Sequence, residues 1–306
     1  MKNGFFLLLF AVNLFAGQSY NKHQLPFFAT VNGYKINFDL ITVFLLKGDE
    51  ISIKTEEGAG DFKITSKTGA LETVNKNNWK FIPDAKPAIG YIVLQNKKSK
   101  MKIQYILMVP LGNVKNGVIN GYRIGQYPEK ALWGNKLYNK PRGLIEVTAE
   151  NKDLFITPHF RLGQFLCKQP SSFPKYIVLR DALLYKLEYI LEELNKYGYA
   201  ANTLYIMSGY RTPYYNKLIG NVKYSRHVYG DAADIFVDTN HNQNMDDLNR
   251  DGEVNYSDVQ ILADIVEKMA LQKKYSVYIG GLGKYHRNRS HPGFIHTDVR
   301  GYRARW

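Results

Sequence analysis

The feature that most restricts this chain is a pair of polar motifs set among short apolar runs. Ser208-Gly-Tyr-Arg-Thr-Pro leads to Ser225-Arg-His227-Val-Tyr-Gly-Asp-Ala-Ala-Asp234, and both are answered far downstream by His291-Pro-Gly-Phe-Ile-His296-Thr-Asp298. His227 and Asp234 flank a small-residue turn, Gly230 to Ala233, and Asp234 opens the run Ile235-Phe-Val237, which reads as a strand. In the run from Gly293 to Val299, Phe294, His296 and Asp298 alternate onto one face. A strand bearing His296 beside that turn supplies a third donor. Singly, each residue reads as an ordinary polar or core group. Together, two imidazoles and a carboxylate read as ligands of a zinc ion whose fourth tetrahedral position is left to water.

The N-terminal residues 1–17 combine a basic start, a short apolar core and a small-residue exit at Ala16-Gly17, the pattern of a secretory signal peptide. The run is too short and interrupted for a membrane span, and no stable membrane anchor is expected. Cys167 is the one cysteine, which excludes an intramolecular disulfide framework and leaves the exported fold to rest on its core. It reads as a buried small hydrophobe. A length of 306 residues at 45% hydrophobic content is enough for two or three domains. The formal charge of +14 favours polyanionic surroundings, in this setting the phosphates and carboxylates of a cell envelope. A solvated basic surface without a specific partner accounts for it equally well. No nucleic-acid motif is present.

Residues 18–114 read as an all-β, sandwich-like domain, with runs such as Tyr34–Phe38, Trp79–Ile82 and Lys102–Val109 separated by turn residues. Residues 115–154, dense in Gly, Tyr and Pro, read as a connector. From 155 to 306 the pattern is α+β. Its clearest helix, Asp181 to Tyr197, has an apolar stripe and outward Glu and Lys residues expected to face solvent. Tyr275–Ile279 reads as a strand and Gly280-Gly-Leu-Gly283 as a flexible turn, which lacks the following helix of a dinucleotide site. His159 has no ligand partner at a recognised spacing. An insertion, 238–258, holds Asp247, Asn249, Asp251, Glu253 and Asp258 at loop positions 1, 3, 5, 7 and 12 with Gly252 at 6, which resembles an EF-hand or dockerin-type calcium loop in which Glu253 offers its carbonyl. The preceding stretch Asp238–Asp246 resembles a degraded copy, with Gln243 where the turn needs glycine.

The motifs SGYRTPxxN, SRHxxGxAxDI and HTDVRG, in that order, resemble those of the zinc D-alanyl-D-alanine carboxypeptidases, metallopeptidases that cut D-amino-acid bonds in peptidoglycan stem peptides. The resemblance implies zinc on His227, Asp234 and His296, a substrate-holding and catalytic Arg211, and a pocket shaped by Ser208 and Tyr210. It implies an exported, periplasmic or secreted peptidase acting by zinc-activated water, either a D,D-carboxypeptidase or a related endopeptidase. The chain departs from the family at Gly293, where many members carry a catalytic glutamate. His291 stands five residues ahead of His296 and is the expected substitute, as a proton shuttle or as a charge facing the oxyanion; the other reading is a solvated loop residue. A metal-containing peptidoglycan-binding protein with weak or no catalysis, or zinc and calcium that only staple the fold, are the alternatives.

Overall fold

The computed structural model describes residues 20–58 and 60–306, so the expected signal peptide lies outside the described residues. The N-terminal strands form two sheets. One has five strands in the order Tyr34–Phe38, Gln24–Val31, Ile51–Thr55, Asn78–Ile82 and Ala70–Asn75; the other has four, Leu40–Leu45, Lys100–Leu107, Ile89–Gln95 and Lys63–Ser66. Alternation buries one face of the central strands, as in Ile51 and Ile53 or Trp79 and Phe81, while the edge strand Ala70–Asn75 is exposed throughout. The inner faces meet through Phe81 and Tyr105, whose rings lie 5.7 Å apart. Leu40–Leu45 pairs parallel with Lys100–Leu107, so the second sheet is mixed.

The boundaries expected at 114/115 and 154/155 are bridged by strand pairing. Val109–Pro110, Gly143–Val147 and Lys175–Ile177 make one three-stranded sheet drawn from all three segments.

The C-terminal part is a five-stranded sheet with two long helices. We label β1 Tyr205–Ser208, β2 Ala232–Phe236, β3 Gly281–Tyr285, β4 Phe294–Asp298 and β5 Ala304–Arg305, with α1 Asp181–Lys196, α2 Pro213–Leu218 and α3 Tyr256–Ala270. The sheet order is β1-β2-β4-β3-β5. Two sequence expectations are corrected here. The glycine cluster is mostly strand β3, while Lys273–Tyr278 is a 3-10 helix that buries Tyr275 and Tyr278.

Helix α1 has no solvated face over most of its length: Ala182 through Leu194 are all buried. The expected outward charges are instead satisfied internally. Glu188 accepts from His159, Tyr275 donates to Glu193, and Lys186 donates to the carbonyl of Asp298 at 2.7 Å. The reason is position. The β-sandwich covers one side of α1 through Tyr34 on Tyr185 and Phe38 on Tyr189, while α3 packs on another. A helix covered on opposite sides must pair its charges inside. Among the described residues no helix is long and apolar enough to cross a membrane.

Candidate metal centre and its cleft

Strand register assembles the centre. Ser208 pairs with Asp234, Asp234 with His296, and His296 with Gly283, a single transverse row across β1, β2, β4 and β3. His227 joins from a buried 3-10 turn, Arg226–Tyr229, closed by Gly230 at φ 69°. That glycine is required twice over, because a Cβ there would also stand 2.3 Å from the Val178 carbonyl oxygen.

His227 Nε2, Asp234 Oδ1 and His296 Nδ1 form a triangle with edges of 3.2, 3.2 and 3.0 Å. A tetrahedral ion with ligands at about 2.0 Å has ligand–ligand edges of roughly 3.3 Å. The outer nitrogens fix the tautomers. His227 Nδ1 lies 2.7 Å from the Gly209 carbonyl, which can only accept, so Nδ1 carries the proton and Nε2 presents a lone pair. His296 Nε2 donates to Asp298 Oδ2 at 3.0 Å, leaving its Nδ1 lone pair facing inward. Two lone pairs and a carboxylate oxygen thus converge on one point, an arrangement that calls for a cation. Zinc fits this donor set.

The titration behaviour follows from the same contacts. Burial holds His227 below its ordinary pKa. Burial pushes His296 the same way, but the carboxylates of Asp234 and Asp298 outweigh it and raise its pKa. Asp234 is likewise penalised by burial, yet His227 and His296 hold it far below the usual carboxylate range. Without metal, a proton competes for the ion's place.

Arg211 flanks the triangle. Its Nη2 donates to Asp234 Oδ2 at 2.6 Å and its Nε to Ser208 Oγ at 2.9 Å, dividing the two oxygens of Asp234 between the guanidinium and the metal position. The site opens into a cleft of ≈ 660 Å³ whose lining includes all three ligands, Arg211, Arg300, Tyr285 and Trp306. Asp234 is the one carboxylate among the lining residues.

Two expectations are corrected. Tyr210 does not line the cleft; it is buried and its hydroxyl meets that of Tyr127 at 2.7 Å, tying the connector to the underside of the motif. His291 is not brought to the cleft either. Its Nε2 faces Asn288 Nδ2 at 2.7 Å, its Nδ1 faces the Pro292 carbonyl at 2.8 Å, and its ring stands against Phe294. Nor is there room for a side chain at residue 293, where a Cβ would sit 2.6 Å from Val259 Cγ2.

The acids of the expected calcium loop do not form a cluster of three or more. Among the described residues the only cluster of metal-ligating acids and histidines is His227, Asp234 and His296. Asp247 accepts from the amides of Arg250, Asp251 and Gly252, Asn249 accepts from Asp251, and Asp251 accepts from Glu253. Asp258 is buried and takes the amides of Leu248, Asn249 and Asn255, the last as part of the capping box that starts α3. These carboxylates are occupied in holding their own loop.

Sequence reasoning missed Arg300 and Trp306. Arg300 grips Asp298 through Nε and Nη2, and the Trp306 ring lies 5.2 Å from that of His296. Arg300 stands in the HTDVRG motif with no role assigned to it there, and the Gly-Tyr-Arg-Ala-Arg-Trp run that follows reads merely as a cationic tail.

An α+β sheet that converges His, Asp and His beside a guanidinium, in an open cleft, defines a candidate hydrolytic metal centre. Residues 160–263 match the model of the Peptidase M15 family, whose members are zinc-dependent and act on peptidoglycan peptides. The matched stretch holds His227 and Asp234 and stops before His296, which the pairing of β2 with β4 delivers. No curated protein matches the chain. A solved structure of the LD transpeptidase LdtMt1 in complex with imipenem is matched at 14% identity and a TM-score of 0.18, over 26% of this chain and 40% of that one. A likeness so slight carries no argument.

Proposed function

We propose that this chain is an exported zinc metallopeptidase that hydrolyses peptidoglycan stem peptides, as a D,D-carboxypeptidase or a closely related endopeptidase. The observation that carries the reading is the triangle of inward-facing donors with Arg211 beside it; the M15 match supports it. When bound, zinc would supply Lewis acidity and lower the pKa of water to about 7. His227, Asp234 and His296 hold it, while Gly209 and Asp298 keep both imidazoles in the ligating tautomer. Arg211, fixed in plane by Ser208 and Asp234, presents its guanidinium to the cleft, where it suits a substrate carboxylate or the charge that develops on the scissile carbonyl.

Elemental analysis, followed by incubation with muropeptides with and without chelator, tests this. One zinc per chain and metal-dependent release of D-alanine or a cut stem is the expected result; cleavage indifferent to chelator, or intact stems, overturns it. A wall-binding protein of weak catalysis is the second reading, favoured by Gly293 and by a cleft whose lining offers no carboxylate beyond Asp234. Stems left intact but retained by the zinc-loaded chain select it. Calcium in the Asp247–Asp258 loop belongs to the proposal on ligand spacing alone, and a calorimetric titration with calcium showing no heat removes it.

A further inference from the structure

The cluster Gly280-Gly-Leu-Gly283 has no donor to offer the metal centre, yet it is tightly used. Gly281 and Gly283, two apart in β3, present the same face. A Cβ at Gly283 would stand 2.4 Å from Trp306 Nε1, and one at Gly281 2.5 Å from Asp298 Oδ2 and 2.9 Å from Trp306 Cη2, closer than packed atoms approach. The indole therefore lies along a stretch of strand stripped of side chains. Its Nε1–H donates to the Tyr285 hydroxyl at 2.7 Å, and the Arg300 guanidinium stands 5.0 Å from its ring. So held, the residue is still 47% exposed and lines the cleft next to His296. A large rigid ring kept half bare beside a polar centre is a contact surface.

The transverse row gives that surface a direction. Ser208, which holds Arg211, is at one end; Asp234 and His296 follow; Gly283, on which Trp306 rests, is at the other. A peptide whose carboxylate side engages Arg211 lays its acyl side against the indole.

We propose that Trp306 forms the subsite for the residue on the acyl side of the scissile bond and restricts it to a small side chain. This rests on the peptidase reading above. The test uses the full zinc-loaded chain and three peptides: an acyl-D-alanyl-D-alanine, its C-terminal amide, and an analogue with D-leucine on the acyl side. Wild type is compared with Trp306→Ala and Trp306→Phe, and zinc content is measured for each. Trp306→Ala should keep its zinc and lower the preference for alanine over leucine by roughly tenfold or more, with Trp306→Phe intermediate. The preference for acid over amide, which belongs to Arg211, should not move.

A parallel loss on all three peptides overturns the proposal, as does loss of zinc from both variants. If only Trp306→Ala sheds zinc, Trp306→Phe carries the comparison, and an unchanged alanine-to-leucine ratio in it is a refutation. If wild type cleaves none of the peptides, the same set is titrated calorimetrically. Binding with the Trp306-dependent preference then sustains the subsite while the peptidase reading falls. Binding without that preference, or no binding, removes the subsite.

Discussion

Asp298→Asn isolates the group that orients His296. The carboxylate is buried and accepts from His296 Nε2 at 3.0 Å, from the amides of Gly281 at 2.8 Å and Arg300 at 3.0 Å, and from Arg300 Nε at 2.9 Å. Burial opposes its ionisation, but His296 and Arg300 hold its pKa far below the usual carboxylate range, so it is charged throughout the working pH. Asparagine keeps the size and removes the charge. Hydrogen bonds to a charged group contribute about 1.5–3 kcal/mol against about 1 for neutral pairs. The His296 Nδ1 lone pair loses basicity with that difference, which matches the about 10–100-fold loss of metal affinity typical when a carboxylate behind a ligating histidine is removed. That range is about 1.4–2.8 kcal/mol. Competition with a chelator of known zinc affinity measures it, and the melting of the metal-free variant is followed in parallel because Arg300 also loses its counter-ion. Zinc affinity unchanged from wild type, even with a less stable apo chain, would refute the assignment of Asp298 as the group that sets His296 for metal.

Three further outcomes are expected. Arg211→Lys removes the planar fork bonded to Ser208 and Asp234, and should lower kcat/KM about 10²-fold while zinc stays bound; a change under roughly threefold sinks its substrate role. Asp231→Asn strips the counter-ion from Arg226, both side chains being 1% exposed or less, and should cost about 3–5 kcal/mol in denaturant unfolding of the apo chain, whereas a cost below about 1 kcal/mol contradicts the pairing. His159 is pushed down by burial but raised overall by Glu188 at 2.7 Å, so its pairing stabilises fully below its ordinary pKa of 6.5 and fades as pH rises through the raised folded value. The stability gap between wild type and His159→Asn should therefore shrink as pH climbs above 6.5, and a gap constant in pH excludes the ion pair.

What could be read in the chain divides along a physical line. The ligands were legible because each sits in a local pattern, a turn or an alternating strand, that dictates its direction; register then did the rest, pairing Asp234 with His296. Helix α1 was legible for the same reason, and it ends within a residue of its expected limits. Side chains whose surroundings come from distant segments were not. Nothing local to α1 shows that Tyr34 and Phe38 will cover it, so its buried charges read as a solvated face. Tyr210 sits two residues past Ser208, but an irregularity in the β1 pairing precedes it and Tyr127 claims its hydroxyl from the connector. The glycines of β3 are the clearest instance. Alone, glycine signals freedom of the backbone; in the fold, Gly283 is bare because the indole that follows β5 needs the space, and Gly281 because the Asp298 carboxylate and the rim of that indole do. The missing side chains are thus part of the site, and they place an aromatic surface on the flank of the ligands opposite Arg211, so that the sheet which assembles the metal centre also fixes the direction in which a peptide can cross it.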